Sequence, residues 1–250
     1  MKLLEQAARK GLISIYMLIG SNLQGADNTG QDSSVEWPTY RGNTSGTGYS
    51  PLDQVTRDNV NDLDIAWSYS LRNNSSESAR EPNSQVTPIV VDGVMFIPTV
   101  DRVVALNPLT GEELWSHTVP VNAPSRRGVT YWPGQGGVSA RIFYTAFDQL
   151  MALDAETGEL DLEFGESGSV AMGNPYISVP FVYKDVIVVG AHTPRGAIGG
   201  IGNARAFSAL NGSKIWEFES VPSPGVPGNQ TWEDDSWIGR LGANAWPFYF

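Results

Sequence analysis

The side chains of this chain that could do chemistry sit outside any standard catalytic pattern. G-x-S-x-G, P-loop and H-E-x-x-H arrangements are absent, and the histidines are His117 and His192 alone, which do not make a metal site. His117 follows Trp115 at an outer-strand position with no partner motif, which predicts an exposed surface histidine. Cysteine is absent from all 250 residues. That removes disulfides, thiolate metal sites, a cysteine nucleophile, covalent haem attachment and an acylated-cysteine anchor. What remains distinctive is a set of long irregular inserts: residues 122–134 (NAPSRRGVTYWPG), 191–203 (AHTPRGAIGGIGN) and 221–246 (from VPSPGVPGNQTWEDDSWIG to GANAW). Loops held by a rigid scaffold are where ligand contacts concentrate.

The scaffold shows itself as a repeat. Three segments share the form A-L-(N/D)-x-x-T-G-x-x-x-W, weakened to Leu162 in the second and to Leu210-Asn211-Gly212 in the third: Val104-Ala105-Leu106 to Trp115, Met151-Ala152-Leu153 to Leu162, and Arg205-Ala206-Phe207 to Trp216. In each, a glycine follows the alanine by six positions (Gly111, Gly158, Gly212) and a large apolar residue follows by ten (Trp115, Leu162, Trp216). An apolar strand ending in Asn or Asp, a turn closed by Gly and a second apolar strand make an antiparallel hairpin, with the aromatic free to pack between units. The alanines are 47 and 54 residues apart, a spacing that suits four-stranded β-propeller blades of about 40–50 residues. A further strand pair precedes the first copy, Val86–Val91 and Val94–Ile97 around an Asp92-Gly93 turn, and the third, Ile177–Tyr183 and Val186–Val189 around Lys184-Asp185. Before the second copy only Arg141–Thr145 reads as a strand, and Trp67 reads as an orphan outer strand able to close a ring.

The expected fold is therefore all-β: a partial propeller over residues 36–250, with about three blades and the start of a fourth. Closed propellers need about 4–8 blades, so the sequence predicts an open ring or part of a longer protein. Composition agrees, with 41% hydrophobic and 17% charged residues, 27 Gly and 16 Pro. A net charge of −11 without a Lys/Arg stripe excludes nucleic acid as a partner. At the start, Lys2, Arg9 and Lys10 precede an apolar run from Leu12 to Ile19 and small or polar residues through Ala26. That order reads as a secretory signal over residues 1–26 and a periplasmic location, followed by a flexible polar N-terminus at 27–35. The apolar run is shorter than the roughly 20 residues a membrane span takes.

On these motifs the chain resembles a known family. Trp37-Pro38-Thr39-Tyr40-Arg41-Gly42-Asn43 with Tyr49-Ser50-Pro51-Leu52, then R-R-G-V-x-Y-W-P-G, and T-W-E-D-D-S-W before G-A-N-x-W are similar to the pyrroloquinoline-quinone (PQQ) dehydrogenases, in particular the glucose- and alcohol-dehydrogenase-like branch with an eight-bladed propeller. The resemblance covers residues 36–247.

The resemblance implies cofactor-binding roles position by position. Arg127 matches the arginine that pairs with a PQQ carboxylate, a task its planar fork suits, with Arg126 the exposed neighbour. Trp246 matches the tryptophan on which the quinone stacks. Asn244 and Thr145 match polar contacts, and Gln85 stands where many relatives carry a glutamate facing PQQ. Val121 and Asn122 occupy the place of the family's vicinal disulfide, which separates the chain from the methanol-dehydrogenase branch. For the implied Ca²⁺, the position of one glutamate ligand is matched by Ala197, and the remaining ligands and the aspartate base are expected past Phe250, so no catalytic or metal residue is assigned. The implied activity is oxidation of an alcohol or aldose sugar, with a quinone or cytochrome as acceptor. The chain by itself is expected neither to turn over substrate nor to hold PQQ tightly. The alternative is a non-enzymatic W-repeat propeller serving as a protein-interaction scaffold in the cell envelope. A half-propeller that completes its ring by oligomerising is a further option, and the sequence sets no oligomeric state.

Overall fold

The computed structural model describes residues 36–71, 85–119, 124–192, 202–240, 242–243 and 245, together with the backbone of strand β1 (Ser14–Gly20). Strand β1 pairs antiparallel with β2 (Leu63–Ser70). The other strands form three four-stranded antiparallel sheets, each a meander. Blade 1 is β3 (Ile89–Val91), β4 (Val94–Pro98), β5 (Arg102–Leu106) and β6 (Glu113–Thr118). Blade 2 is β7 (Thr130–Trp132), β8 (Arg141–Ala146), β9 (Gln149–Asp154) and β10 (Ser169–Ala171), and blade 3 is β11 (Phe181–Tyr183), β12 (Val186–Val189), β13 (Ala204–Ser208) and β14 (Lys214–Phe218). Strand β7 touches both β3 and β11, so the first strand of each blade is its inner edge.

The repeat's conserved letters each have a physical task. Asn107 Oδ1 accepts from the N–H groups of Leu109 and Thr110, and Asp154 Oδ1 accepts from those of Glu156 and Thr157. Side chains of this kind cap a tight turn by replacing its missing backbone partners. The turn closes as Gly111 N–H donates to Asn107 O at 2.8 Å, Gly158 to Asp154 at 2.9 Å and Gly212 to Ser208 at 2.8 Å. The glycines have φ of 72°, 73° and 75°, a region that residues with a Cβ enter at a cost. They also have no room for one. A Cβ on Gly111 would lie 2.6 Å from the Trp67 ring, and one on Gly158 would lie 2.4 Å from that of Trp115. Each indole N–H donates into the turn it covers, Trp67 to Pro108 O at 3.0 Å and Trp115 to Ala155 O at 3.1 Å. The tryptophan of one outer strand is thus seated on the glycine turn of the next blade.

Successive residues of a strand face opposite sides of its sheet, and in a blade both sides meet neighbours. Met95 and Ile97 pack toward Trp67 and β2, while Phe96 between them joins Ile142 and Tyr144 of blade 2. Phe143, on the other side of β8, joins Ile187, Val189 and Phe207 of blade 3.

The second copy of the repeat departs from expectation. Leu162 is 66% exposed and seats on nothing, its predicted hairpin strand is reduced to a single bridge between Leu153 and Leu160, and the outer strand is the later β10. Val170 of that strand covers Gly212 instead, 2.5 Å from where its Cβ would be. The junction is held by Arg141, whose side chain is 1% exposed. Its Nη1 donates to Ala209 O at 2.6 Å and Leu210 O at 2.8 Å, its Nε to Asp161 Oδ2 at 2.6 Å, and its guanidinium lies over the rings of Trp132 and Phe164. The inner strand of the second copy is β7, which lies inside residues 122–134, the first of the long inserts. His117 is also not on the open surface. It is half-buried beside Tyr144, ring centroids 6.3 Å apart, and burial lowers its pKa while a backbone hydrogen bond with Gly158 acts the other way.

Candidate functional site at the inner edge of the blades

Three segments that lead into the inner strands run together: residues 85–88 ahead of β3, 124–129 ahead of β7 and 176–180 ahead of β11. The backbone joins the first two, with Gln85 N–H donating to Arg126 O at 3.2 Å and Thr87 N–H to Arg127 O at 3.0 Å. Ser125 ties in blades 2 and 3, its N–H donating to Thr145 O at 2.8 Å and its Oγ to Ile177 O at 2.9 Å. Gly128 permits this approach, since a Cβ there would lie 3.0 Å from Val179 and 3.3 Å from the Thr87 carbonyl.

On this backbone frame Arg127 is half-buried while Arg126 is exposed. The Arg127 Nε–H donates to Gln85 Oε1 at 2.9 Å, which sets the plane of the guanidinium. Thr145 is fully buried at the end of β8, and its Oγ1–H donates to Ser178 O at 3.2 Å. Its proton is therefore committed, and toward a ligand it offers only a lone pair. Ser178 is fully buried too, and its Oγ has no hydrogen-bond partner among the described residues. A buried hydroxyl of this kind forfeits about 1–3 kcal/mol until it is satisfied.

Of the residues singled out from sequence, Gln85, Arg127 and Thr145 come together here. Asn244, Trp246, Ala197, Val121 and Asn122 lie outside the described residues. Ala245, between Asn244 and Trp246, accepts a hydrogen bond from Ala191 N–H at 3.2 Å, just beyond β12. Ser125 and Ser178 were missed from sequence. One signal pointed to Ser178: Ile177-Ser178-Val179-Pro180 enters its inner strand as Gln85-Val86-Thr87-Pro88 enters β3, so both tetrapeptides reach the same edge.

Comparison with known proteins decides the family. Residues 37–249 match the model of the PQQ glucose/ethanol/alcohol dehydrogenase β-propeller domain. The chain belongs to the PQQ-dependent dehydrogenases. It is 32% identical to the dehydrogenase subunit of the quinone alcohol dehydrogenase of Gluconacetobacter polyoxogenes, over 85% of this chain and 30% of that one. It is 30% identical to methanol dehydrogenase (cytochrome c) subunit 1 of Methylobacterium organophilum, over 87% of this chain and 38% of that one. The solved quinohemoprotein alcohol dehydrogenase of Comamonas testosteroni superposes with a TM-score of 0.60 at 31% identity, covering 78% of this chain and 28% of that one. This chain thus spans between about a quarter and two fifths of the length of these quinoprotein relatives.

The described residues suit the family's cofactor. PQQ presents carboxylates and quinone carbonyl oxygens, and the inner edge offers a guanidinium, an amide and an unsatisfied buried hydroxyl. For calcium the position differs: among the described residues no three His, Asp or Glu come together to hold a metal ion. No step below is routed through one.

Proposed function

We propose that this chain forms one flank of the PQQ site of a dehydrogenase that oxidises an alcohol or an aldose sugar and passes the electrons to a quinone or cytochrome. The observation that carries the proposal is the convergence of Arg127, Gln85 and the unsatisfied Ser178 Oγ at the inner edge of three adjacent blades. When bound, PQQ supplies a two-electron quinone acceptor for the substrate's hydride. Arg127 binds a cofactor carboxylate through a charge-assisted pair. Ser178 Oγ donates to a cofactor oxygen, and Thr145 and Ser125 hold the strand ends that place it. These groups position a cofactor; the base that takes the substrate's hydroxyl proton is not among them. The isolated chain therefore holds PQQ weakly and oxidises no alcohol. The N-terminal order of charged, apolar and small residues supports export to the periplasm with cleavage after Ala26, a cut that removes β1 from its pairing with β2 and that the mass of the exported protein checks.

Equilibrium dialysis of the full chain against PQQ tests the site. Saturable binding that falls roughly 10- to 100-fold in Arg127→Ala, the worth of a hydrogen bond to a charged group, supports it. Binding that ignores this substitution points instead to a plain protein-interaction propeller, and dye-linked oxidation of ethanol or glucose by the chain with PQQ and Ca²⁺ refutes the claim of inactivity.

A further inference from the structure

On the outer side of the junction between blades 2 and 3 lies a cavity of about 390 Å³, lined by Val170 and Met172 from one blade and Arg205, Phe207, Lys214 and Glu217 from the next. We propose that it binds a small aromatic carboxylate, at a site separate from the inner edge and independent of the quinone reading. Its size falls in the range of small-molecule pockets, roughly 300–1,000 Å³.

The cavity exists because this junction lacks the indole that fills the others. Trp67 and Trp115 each lie over the glycine turn of the following blade, whereas the matching Leu162 stands in solvent and the smaller Val170 covers Gly212. Past Val170 the chain carries only Ala171 before Met172 and Gly173, and a Cβ on Gly173 would meet nothing within 4 Å. The junction is therefore short of one flat ring. Phe207 and Met172, both buried in the core shared by blades 2 and 3, offer an aromatic face and a thioether to such a ring.

The charge of the lining selects an anion. The residue before the repeat's alanine is Val104 in blade 1 and Met151 in blade 2, both packed among apolar neighbours, and Leu160 of blade 2 packs with Met151. In blade 3 the corresponding positions hold Arg205 and Lys214. Arg205 is registered with Glu217 and Phe207 with Lys214 across β13 and β14, so these four side chains share the face opposite Ala206 and Trp216. The Arg205 side chain is 9% exposed and its Nη2 pairs with Glu217 Oε1 at 3.1 Å, while Lys214 Nζ pairs with Oε2 at 3.0 Å. Asn203 Nδ2 donates to the same Oε1 at 2.7 Å. One carboxylate thus serves two cations, and the cavity keeps an excess positive charge in a chain whose net charge is −11. Glu217 need not be displaced when a second anion arrives, because a guanidinium carries five N–H donors and an ammonium three. A ring between Phe207 and Met172, with its carboxylate at Arg205 and Lys214, fills the space and balances the charge together.

Equilibrium dialysis of the full chain against three probes with one ring system tests this: indoleacetate, which is anionic, indoleacetamide, which is neutral, and tryptamine, which is cationic. Indoleacetate should bind saturably and about tenfold or more tighter than the other two, the worth of a charge-assisted contact. Lys214→Glu, at a side chain more than half exposed, turns the excess charge negative and should weaken indoleacetate about tenfold or more without weakening tryptamine. Lys184→Glu, the same change in net charge at an exposed turn outside the lining, should leave indoleacetate binding unchanged. Val170→Trp supplies the absent indole from the chain itself and should abolish binding, with near-ultraviolet circular dichroism checking that the variant folds; if it does not fold, Lys214→Glu decides. Excess PQQ should not displace the probe. Equal affinity for all three probes, indifference to Lys214→Glu, or displacement by PQQ, which would put the probe at the inner edge, would each overturn the proposal. So would the absence of indoleacetate binding up to millimolar concentration. PQQ binding that still depends on Arg127 in that case would leave the quinone reading standing, so the two fail separately.

Discussion

Replacing Arg141 with methionine should open the junction between blades 2 and 3. The side chain is 1% exposed, yet it carries a full charge whose attachments are all inside the protein: Asp161 through Nε and Nη2, both at 2.6 Å, and the carbonyls of Ala209 and Leu210 through Nη1 at 2.6 and 2.8 Å. Methionine keeps most of the apolar stem against Trp132 and Phe164 but leaves a carboxylate and two carbonyls without their donor. Breaking a buried pair by removing one partner destabilises by about 3–5 kcal/mol. At about 2–4 °C per kcal/mol for a domain of this size, the melting temperature should fall by roughly 10 °C, read by scanning calorimetry or by near-ultraviolet circular dichroism. Arg141→Lys, which retains the charge but cannot span all three acceptors, should fall by less. The double variant Arg141→Met with Asp161→Leu should recover part of the loss, because the orphaned carboxylate is gone. A drop of under about 1 kcal/mol in Arg141→Met would refute the idea that this arginine holds the junction between blades 2 and 3.

The seated tryptophans and the open one should separate cleanly. Trp115→Ala should cost about 3–5 kcal/mol as a large-to-small change at a packed seat, whereas Trp216→Ala, at a residue 42% exposed, should cost far less in the isolated chain; urea denaturation of the two variants is the comparison. On the facing turn, Gly158→Ala places a Cβ against the Trp115 ring and should be severe, while Gly173→Ala, with φ of 83° but open space around it, should show only the backbone cost of about 1–2 kcal/mol. His117 supplies a pH prediction. Burial, the larger influence, lowers its folded pKa below the unfolded value of 6.5, so the unfolded chain binds more protons and stability falls as pH drops below about 6.5, flattening once the folded pKa is passed. The difference in melting temperature between wild type and His117→Gln across pH 5–7.5 isolates this from the carboxylates, and a difference independent of pH would contradict it.

Some of the molecule was written locally enough to read in order along the chain. The A-L-(N/D)-x-x-T-G turn declared itself because its capping carboxamide or carboxylate, its threonine and its positive-φ glycine all act within five residues of each other. The Asp92-Gly93 hairpin did so for the same reason, with φ of 50° and 73° at its two positions. From such units a blade follows, since each hairpin has two apolar sides that neighbours must cover. Family membership was legible as well, because the motifs around Trp37, Arg127 and Trp232 are contiguous strings. What tertiary packing alone decided are the contacts made between blades. That Leu162 stays in solvent while Val170 covers Gly212 and Arg141 reaches the carbonyls of Ala209 and Leu210, 68 and 69 residues away, follows from how two sheets meet and not from any local preference. The same holds at the inner edge. Arg127 and Gln85 were each nameable in advance, but their hydrogen bond, the commitment of Thr145 to Ser178, and the unsatisfied Ser178 hydroxyl arise because three strand ends from different blades are brought to one axis.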